Sequence, residues 1–134
     1  MGVNEPLLAR AREARKRAHA PYSGFRVGAA VQSETGEVFV GCNVEIGSFG
    51  LTLCAERVAV GAAVVAGHRR IVRLALSADG DAPIPPCGGC RQVLAEFGPD
   101  LAVVSEAGGV QTEWRLADIF PEPFVFRKGG AGRV

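Results

Sequence analysis

Thr52-Leu53-Cys54-Ala55-Glu56-Arg57 leads into the uncharged apolar run from Val58 to Ala66. A second stretch, Pro86-Cys87-Gly88-Gly89-Cys90-Arg91-Gln92, leads into another helical run. The first has the form C-x-E and the second P-C-x-x-C, each at a helix start. Cys87 and Cys90 are three residues apart, so a first helical turn brings both sulfurs to one side. Gly88 and Gly89 let the backbone come close to whatever the sulfurs hold. Cys54 and Glu56 are two apart and would diverge in mid-helix, but at a helix start both reach an ion lying off the helix end. The partial positive charge of a helix N-terminus favours thiolate over thiol. Three thiolates and one unshared carboxylate are what a catalytic zinc site needs: three protein ligands, one position open to water, and a base beside it. Arg57, one turn on from Cys54, is placed to donate to a ligand thiolate and to offset the charge that three sulfurs bring.

Other readings of the cysteines stay open at this point. A C-x-x-C pair also suits a structural zinc half-site or a redox couple. Cys42 offers a fourth thiol, or is a small buried cysteine on a strand.

Working outward, Asn4-Glu5-Pro6 starts a helix whose stripe is Leu7, Ala11, Ala14 and Ala18. Arg10, Arg12, Arg15, Lys16 and Arg17 crowd its remaining surface and read as a solvated face, in preference to a contact for a phosphate or an acidic partner. Phe25, Val27, Ala29 and Val31 alternate with Arg26, Gly28, Ala30 and Gln32, which predicts a strand with one apolar face. Glu34-Thr35-Gly36-Glu37 turns the chain, and residues 25–44 read as a hairpin. Asn43 and Glu45 fall on one side of the strand end, an amide beside a carboxylate, suited to a sugar hydroxyl or to turn chemistry. Residues 52–66 read as a helix apolar on several faces, with part of its surface against another subunit. His68 reads as a cation at that helix's C-terminus. Strands are predicted at 71–77, 101–105 and, on an edge, 111–115. The second motif helix spans 87–97, a short helix 116–120, and 127–134 a loose tail. A hairpin followed by alternating helices and strands gives an α/β protein with a mixed sheet.

The 134 residues suit one domain, 1–134, and 48% hydrophobic residues suffice for a core. A net charge of +1 is not the footprint of a nucleic-acid binder. The apolar run 58–66 is too short to span a bilayer. The charged N-terminus has no signal-peptide core, and Pro6 stands where an acylation site needs Ser or Thr. With four cysteines and no secretory signal, the expectation is a reducing, cytoplasmic compartment.

C-x-E followed by P-C-x-x-C is the cysteine form of the zinc deaminase signature, in which the glutamate moves protons and does not bind the metal. The whole chain resembles the small, zinc-dependent, homotetrameric cytidine deaminases that act on free nucleosides. The resemblance rests on Ala20-Pro21-Tyr22-Ser23-x-Phe25, Val27-Gly28-Ala29-Ala30, Gly41-Cys42-Asn43-Val44-Glu45, Cys54-Ala55-Glu56-Arg57, Pro86-Cys87-Gly88-x-Cys90-Arg91-Gln92 and Phe120-Pro121-x-x-Phe124. It implies a three-layer α/β/α sandwich around a five-stranded mixed sheet. It implies one Zn²⁺ per chain on Cys54, Cys87 and Cys90, with Glu56 as proton shuttle. It also implies that the Ala55 N–H holds the pyrimidine O2, that Asn43 and Glu45 hold the ribose 3′-hydroxyl, and that Phe25 packs on the base. The Pro85 carbonyl would face the leaving amino group, and Phe124 would enter the pocket of a neighbouring subunit. The implied reaction is hydrolytic deamination of cytidine and 2′-deoxycytidine in pyrimidine salvage.

Three positions depart from the family pattern. Ile46 stands where asparagine is usual, Phe49 where tyrosine is frequent, and Pro85 where serine is usual. The first two bear on ribose recognition, and Pro85 still supplies a carbonyl. A modified cytosine nucleoside is the alternative substrate. A nucleotide or nucleic-acid deaminase would need cations for phosphate, and a silent zinc module would have no use for Glu56.

Overall fold

Helices and strands alternate along the chain in a computed structural model that describes residues 4–128 and 132–133. The elements are α1 (Glu5–Arg15), β1 (Val27–Ser33), β2 (Val38–Cys42), a 3₁₀ turn (Phe49–Leu51), α2 (Ala55–Val65) and β3 (Ile71–Ala78). Next come α3 (Gly88–Phe97), β4 (Ala102–Ala107), β5 (Val110–Arg115) and α4 (Leu116–Ile119). The sheet runs β2-β1-β3-β4-β5. Only β3 and β4 are parallel; the other neighbours are antiparallel, so the sheet is mixed.

Helices cover both faces of the sheet, and each face has its own core. On one side Leu7, Leu8 and Ala11 of α1 pack on Ala30, Ala75 and Val104. On the other, Ala55, Ala59, Val60 and Ala63 of α2 and Leu94 of α3 pack on Val27, Ala29, Val31, Leu74, Leu76 and Val103. This is the three-layer α/β/α sandwich. It also corrects the one-faced reading of β1, whose residues 27–31 are all buried. Gly28 and Ala30 face α1: Ala30 packs with Leu7, Leu8 and Ala11, and Gly28 lies directly under the helix backbone. A Cβ at Gly28 would collide with the Ala11 carbonyl and the Arg15 nitrogen, and one at Gly41 would lie 2.5 Å from Ala55 O and Ala59 N. Two glycines therefore set how close α1 and α2 sit to the sheet.

Several expectations need correction. Thr52 and Leu53 precede α2, because Leu53 is paired with Val44 by two 2.9 Å backbone bonds and cannot be helical. Ala18 lies beyond the end of α1. The basic surface of α1 is not simply solvated. Arg12 bonds Glu5 and Glu106, and Arg15 donates to the Ala78 carbonyl at 3.2 Å. The expectation for His68 needs no correction: just past α2 it pairs with Glu37 of the hairpin turn at 2.9 Å and lies over Phe39. Where a loose tail was expected, Arg127–Lys128 pairs with Gly132–Arg133; residues 129–131 and 134 lie outside the described residues, as do residues 1–3 and the acylation reading made there. Among the described residues no helix is long and apolar enough to cross a membrane.

Candidate active site

Both motifs sit at helix N-termini, and the reason is local. Cys54 and Cys87 have extended backbone (ψ 148° and 166°) and are the N-cap residues of α2 and α3. Cys87 caps its helix through sulfur, accepting the Cys90 N–H at 3.5 Å. The two helices touch, and the Sγ atoms of Cys54, Cys87 and Cys90 all lie within 4.8 Å of one another. A tetrahedral Zn²⁺ with bonds of about 2.3 Å needs sulfurs roughly 4 Å apart, so the cluster has the right size. Cys42 is not part of it, which removes the fourth-ligand reading.

The charge balance of the cluster also fits a divalent cation. Burial first, then the neighbouring Glu56 carboxylate, pushes the Cys90 thiol well up. Burial likewise raises Cys54. At Cys87 burial is outweighed by the Cys90 N–H and the two adjacent thiols, and its thiol is lowered. Burial and mutual repulsion disfavour three adjacent thiolates, and a divalent cation would offset both. Arg57 supplies part of the compensation. The Cys90 sulfur is the main cause of its raised guanidinium pKa, and its buried Nε has no hydrogen-bond partner among the described residues. A Cβ at Gly89 would lie 2.5 Å from the Arg57 Nη2, so this glycine leaves room for the guanidinium. Glu56 is in the first turn of α2 and is 5% exposed. Burial lifts its carboxyl above the ordinary range.

A short ladder leading into Cys54 holds the candidate sugar residues. Val44 pairs with Leu53, the residue before Cys54, and residues 43–45 pair with His19. Asn43 does not project freely. Its Oδ1 accepts from Val27 N and its Nδ2 donates to Phe25 O, both at 2.9 Å. Glu45 accepts from Tyr22 N at 3.0 Å, from Ser23 N at 3.1 Å and from the Ser23 hydroxyl. That hydroxyl is the main cause that lowers its pKa. Asn43 keeps one N–H and one lone pair, and Glu45 about one acceptor position, for a ligand.

Phe25 is partly exposed and packs near Gly80. Pro85 is exposed, while Pro86 is buried and its carbonyl accepts from Arg91 Nε at 2.8 Å. Arg91 also donates to Ile119 O, and Gln92 bonds the backbone of Phe124. Phe124 is 70% exposed and does not reach the cluster of its own chain as a buried group. Ile46 and Phe49 are exposed on the loop before Cys54, with Phe49 edge-on to Tyr22.

Sequence reasoning assigned no role to Ser23, Asp79, Arg91 or Gln92. Asp79 accepts from Arg26 N at 2.9 Å and from its Nε at 3.0 Å, fixing the segment beside Phe25 to the end of β3. No local pattern marks Asp79. Ser23, Arg91 and Gln92 lie inside quoted motifs, and that was the available signal.

An α/β/α sandwich carrying three cysteines and a buried glutamate at two helix starts defines a zinc-dependent hydrolytic deaminase site. Residues 1–106 match the cytidine and deoxycytidylate deaminase zinc-binding region. A cytidine deaminase from Halalkalibacterium halodurans is 50% identical over 121 residues, 89% of this chain and 92% of that protein. One from Sporosarcina psychrophila is 42% identical over 122 residues, 90% of each. The crystal structure of cytidine deaminase from Burkholderia pseudomallei superposes with a TM-score of 0.87 at 43% identity, covering 91% of this chain and 99% of that one. The chain belongs to the cytidine and deoxycytidylate deaminase family.

Proposed function

We propose that this protein hydrolyses cytidine and 2′-deoxycytidine to uridine and 2′-deoxyuridine with release of ammonia. The observation that carries the reading is the meeting of Cys54, Cys87 and Cys90 beside the buried Glu56. The three sulfurs would hold Zn²⁺, which when bound makes water a competent nucleophile at neutral pH. Glu56 accepts a proton from that water and delivers it to N3 of the pyrimidine. Burial raises its pKa, which suits a group that must both take and give a proton. The water oxygen would form the new bond to C4 as N3 takes up that proton. A second proton, from the resulting C4 hydroxyl, would pass through Glu56 to the amino nitrogen, and the C4–N bond would break to leave the carbonyl and release ammonia. The Ala55 N–H at the start of α2 serves the pyrimidine O2, and the Pro85 carbonyl the leaving amino group. Phe25 packs on the base. Asn43 and Glu45 hold the ribose 3′-hydroxyl with the hydrogen-bonding capacity left over from the 22–27 segment.

Four chains would assemble with each pocket completed by Phe124 of a neighbour. Free thiols on Cys42 and at the site suit a reducing compartment. An ultraviolet assay with cytidine, 2′-deoxycytidine, cytosine and CMP tests the reading. Both nucleosides should be converted and the other two handled poorly. Turnover of CMP in preference to cytidine would replace the nucleoside reading with a nucleotide one.

A further inference from the structure

The segment after α4 is held to the body of the protein in an unusual way. No side chain from Pro121 to Phe126 is buried. A groove of about 540 Å³ lies between these residues and Ala95, Glu96 and Pro99 on and after α3. Packing therefore does little to fix the arm. What fixes it is one side chain: Gln92 donates from Nε2 to Phe124 O at 2.9 Å and accepts from Phe124 N at 3.1 Å. Among the described residues, 121–126 make no other hydrogen bond. A reciprocal pair of this kind clamps a backbone as a strand partner would. It grips the one residue of the arm with the most exposed aromatic ring, Phe124. Gln92 itself is two residues past Cys90, on the helix that carries two of the three sulfurs.

We propose that Gln92 is the positioning residue for Phe124, fixing where its ring is presented, and that it acts on the pocket of a neighbouring subunit and not on its own. The proposal rests on the shared pocket described above. An aromatic ring that is solvent-exposed in its own chain gains nothing for that chain from a rigid backbone. Held at one place it arrives preorganised at a partner's substrate, and the ordering cost is met before binding.

Gln92→Met keeps length and helix propensity but removes both hydrogen bonds. It should retain zinc and assembly and lose roughly ten- to hundredfold in kcat/KM, the scale of a misplaced positioning contact. The loss should fall mainly on KM, because packing on the base acts in the ground state and the transition state alike. Gln92→Glu keeps the acceptor for the Phe124 N–H but sets a carboxylate oxygen against the Phe124 carbonyl in place of a donor, so it should also lose activity while retaining zinc. If Gln92→Met loses zinc, Gln92→Glu carries the next step. Gln92→Met chains are co-assembled with Glu56→Gln chains, and Phe124→Ala with Glu56→Gln in parallel. Activity per chain with an intact Glu56 should rise above that of the Gln92→Met homo-oligomer, since a Glu56→Gln neighbour supplies a well-held Phe124. Recovery in the Phe124→Ala mixture alone places the action of Gln92 within its own subunit and overturns the proposal. Recovery in neither removes the shared pocket, and the proposal falls with it.

Discussion

Glu56 and Glu45 are both carboxylates beside the same cluster, and their surroundings drive them opposite ways. Burial lifts Glu56, while the Ser23 hydroxyl and two backbone N–H groups lower Glu45. These opposite shifts suit the roles proposed for them, proton exchange for Glu56 and an ionised hydrogen-bond acceptor for Glu45. Glu56→Gln should fold and keep one zinc per chain by metal analysis, yet lose at least the roughly 10²–10⁴-fold expected of a general acid–base group. Near-normal turnover in that variant would end its role as shuttle. Glu45→Ala should cost on the order of ten- to hundredfold in kcat/KM for cytidine, with zinc content unchanged. Wild-type use of free cytosine as readily as cytidine would show that no sugar contact matters. The sulfurs and Glu56 were legible in the sequence because a helix start imposes their geometry within a few residues. The bonds of Asn43 and Glu45 to the 22–27 segment were not, because the partners lie 16 to 23 residues away in sequence.

At the scale of elements, α1 is tied to the sheet by charge as well as by packing. Arg12 bridges Glu5 and Glu106, and Glu106 also accepts from Ser77 at 3.0 Å. Arg15 and Arg26 both face Asp79. A helical wheel places Arg12 and Arg15 on a polar face, but Glu106 is 94 residues from Arg12, and no sequence period reports such a pair. Likewise β1 reads as one-faced because small Gly28 and Ala30 alternate with the apolar stripe, when they face α1 and Gly28 lies directly under its backbone. Asp79 gives a pH test. The Arg26 guanidinium, against the opposing effect of burial, holds its folded pKa below the usual value. Its stabilisation should be fully present above the unfolded pKa, about 4, and be lost as pH falls through the lower folded value. Urea midpoints of wild type and Asp79→Asn should therefore differ by a constant amount from pH 7 to about pH 5 and converge in more acid solution. A gap that stays constant or widens below about pH 4 would mean that the carboxylate is not the source.

For the whole molecule, α2 carries the clearest sign of assembly. Its inner face is buried in the core, but Gly61, Ala62 and Val65 are exposed, and Val65 is 90% exposed. Glu56 and Arg57, the charged residues of α2, are both drawn into the site. The outer face is therefore apolar and small, which suits close approach of another copy. Phe49, Leu51 and Leu53, just before Cys54, extend exposed apolar surface toward the site. Covering both regions in a tetramer would link assembly to the proposed pocket shared with a neighbour's Phe124. Sedimentation of wild type should then give a tetramer. Ala62→Glu with Val65→Glu puts two charges on a surface that would otherwise lose its water, and should shift the protein to smaller species. These changes lie about one to two turns or more beyond Cys54 and Glu56, so zinc should remain bound at one per chain. The dissociated chains should nonetheless lose activity, because each pocket would lack its aromatic partner. A double variant that stays tetrameric would remove α2 from the interface, and fully active monomers would show that each chain completes its own site.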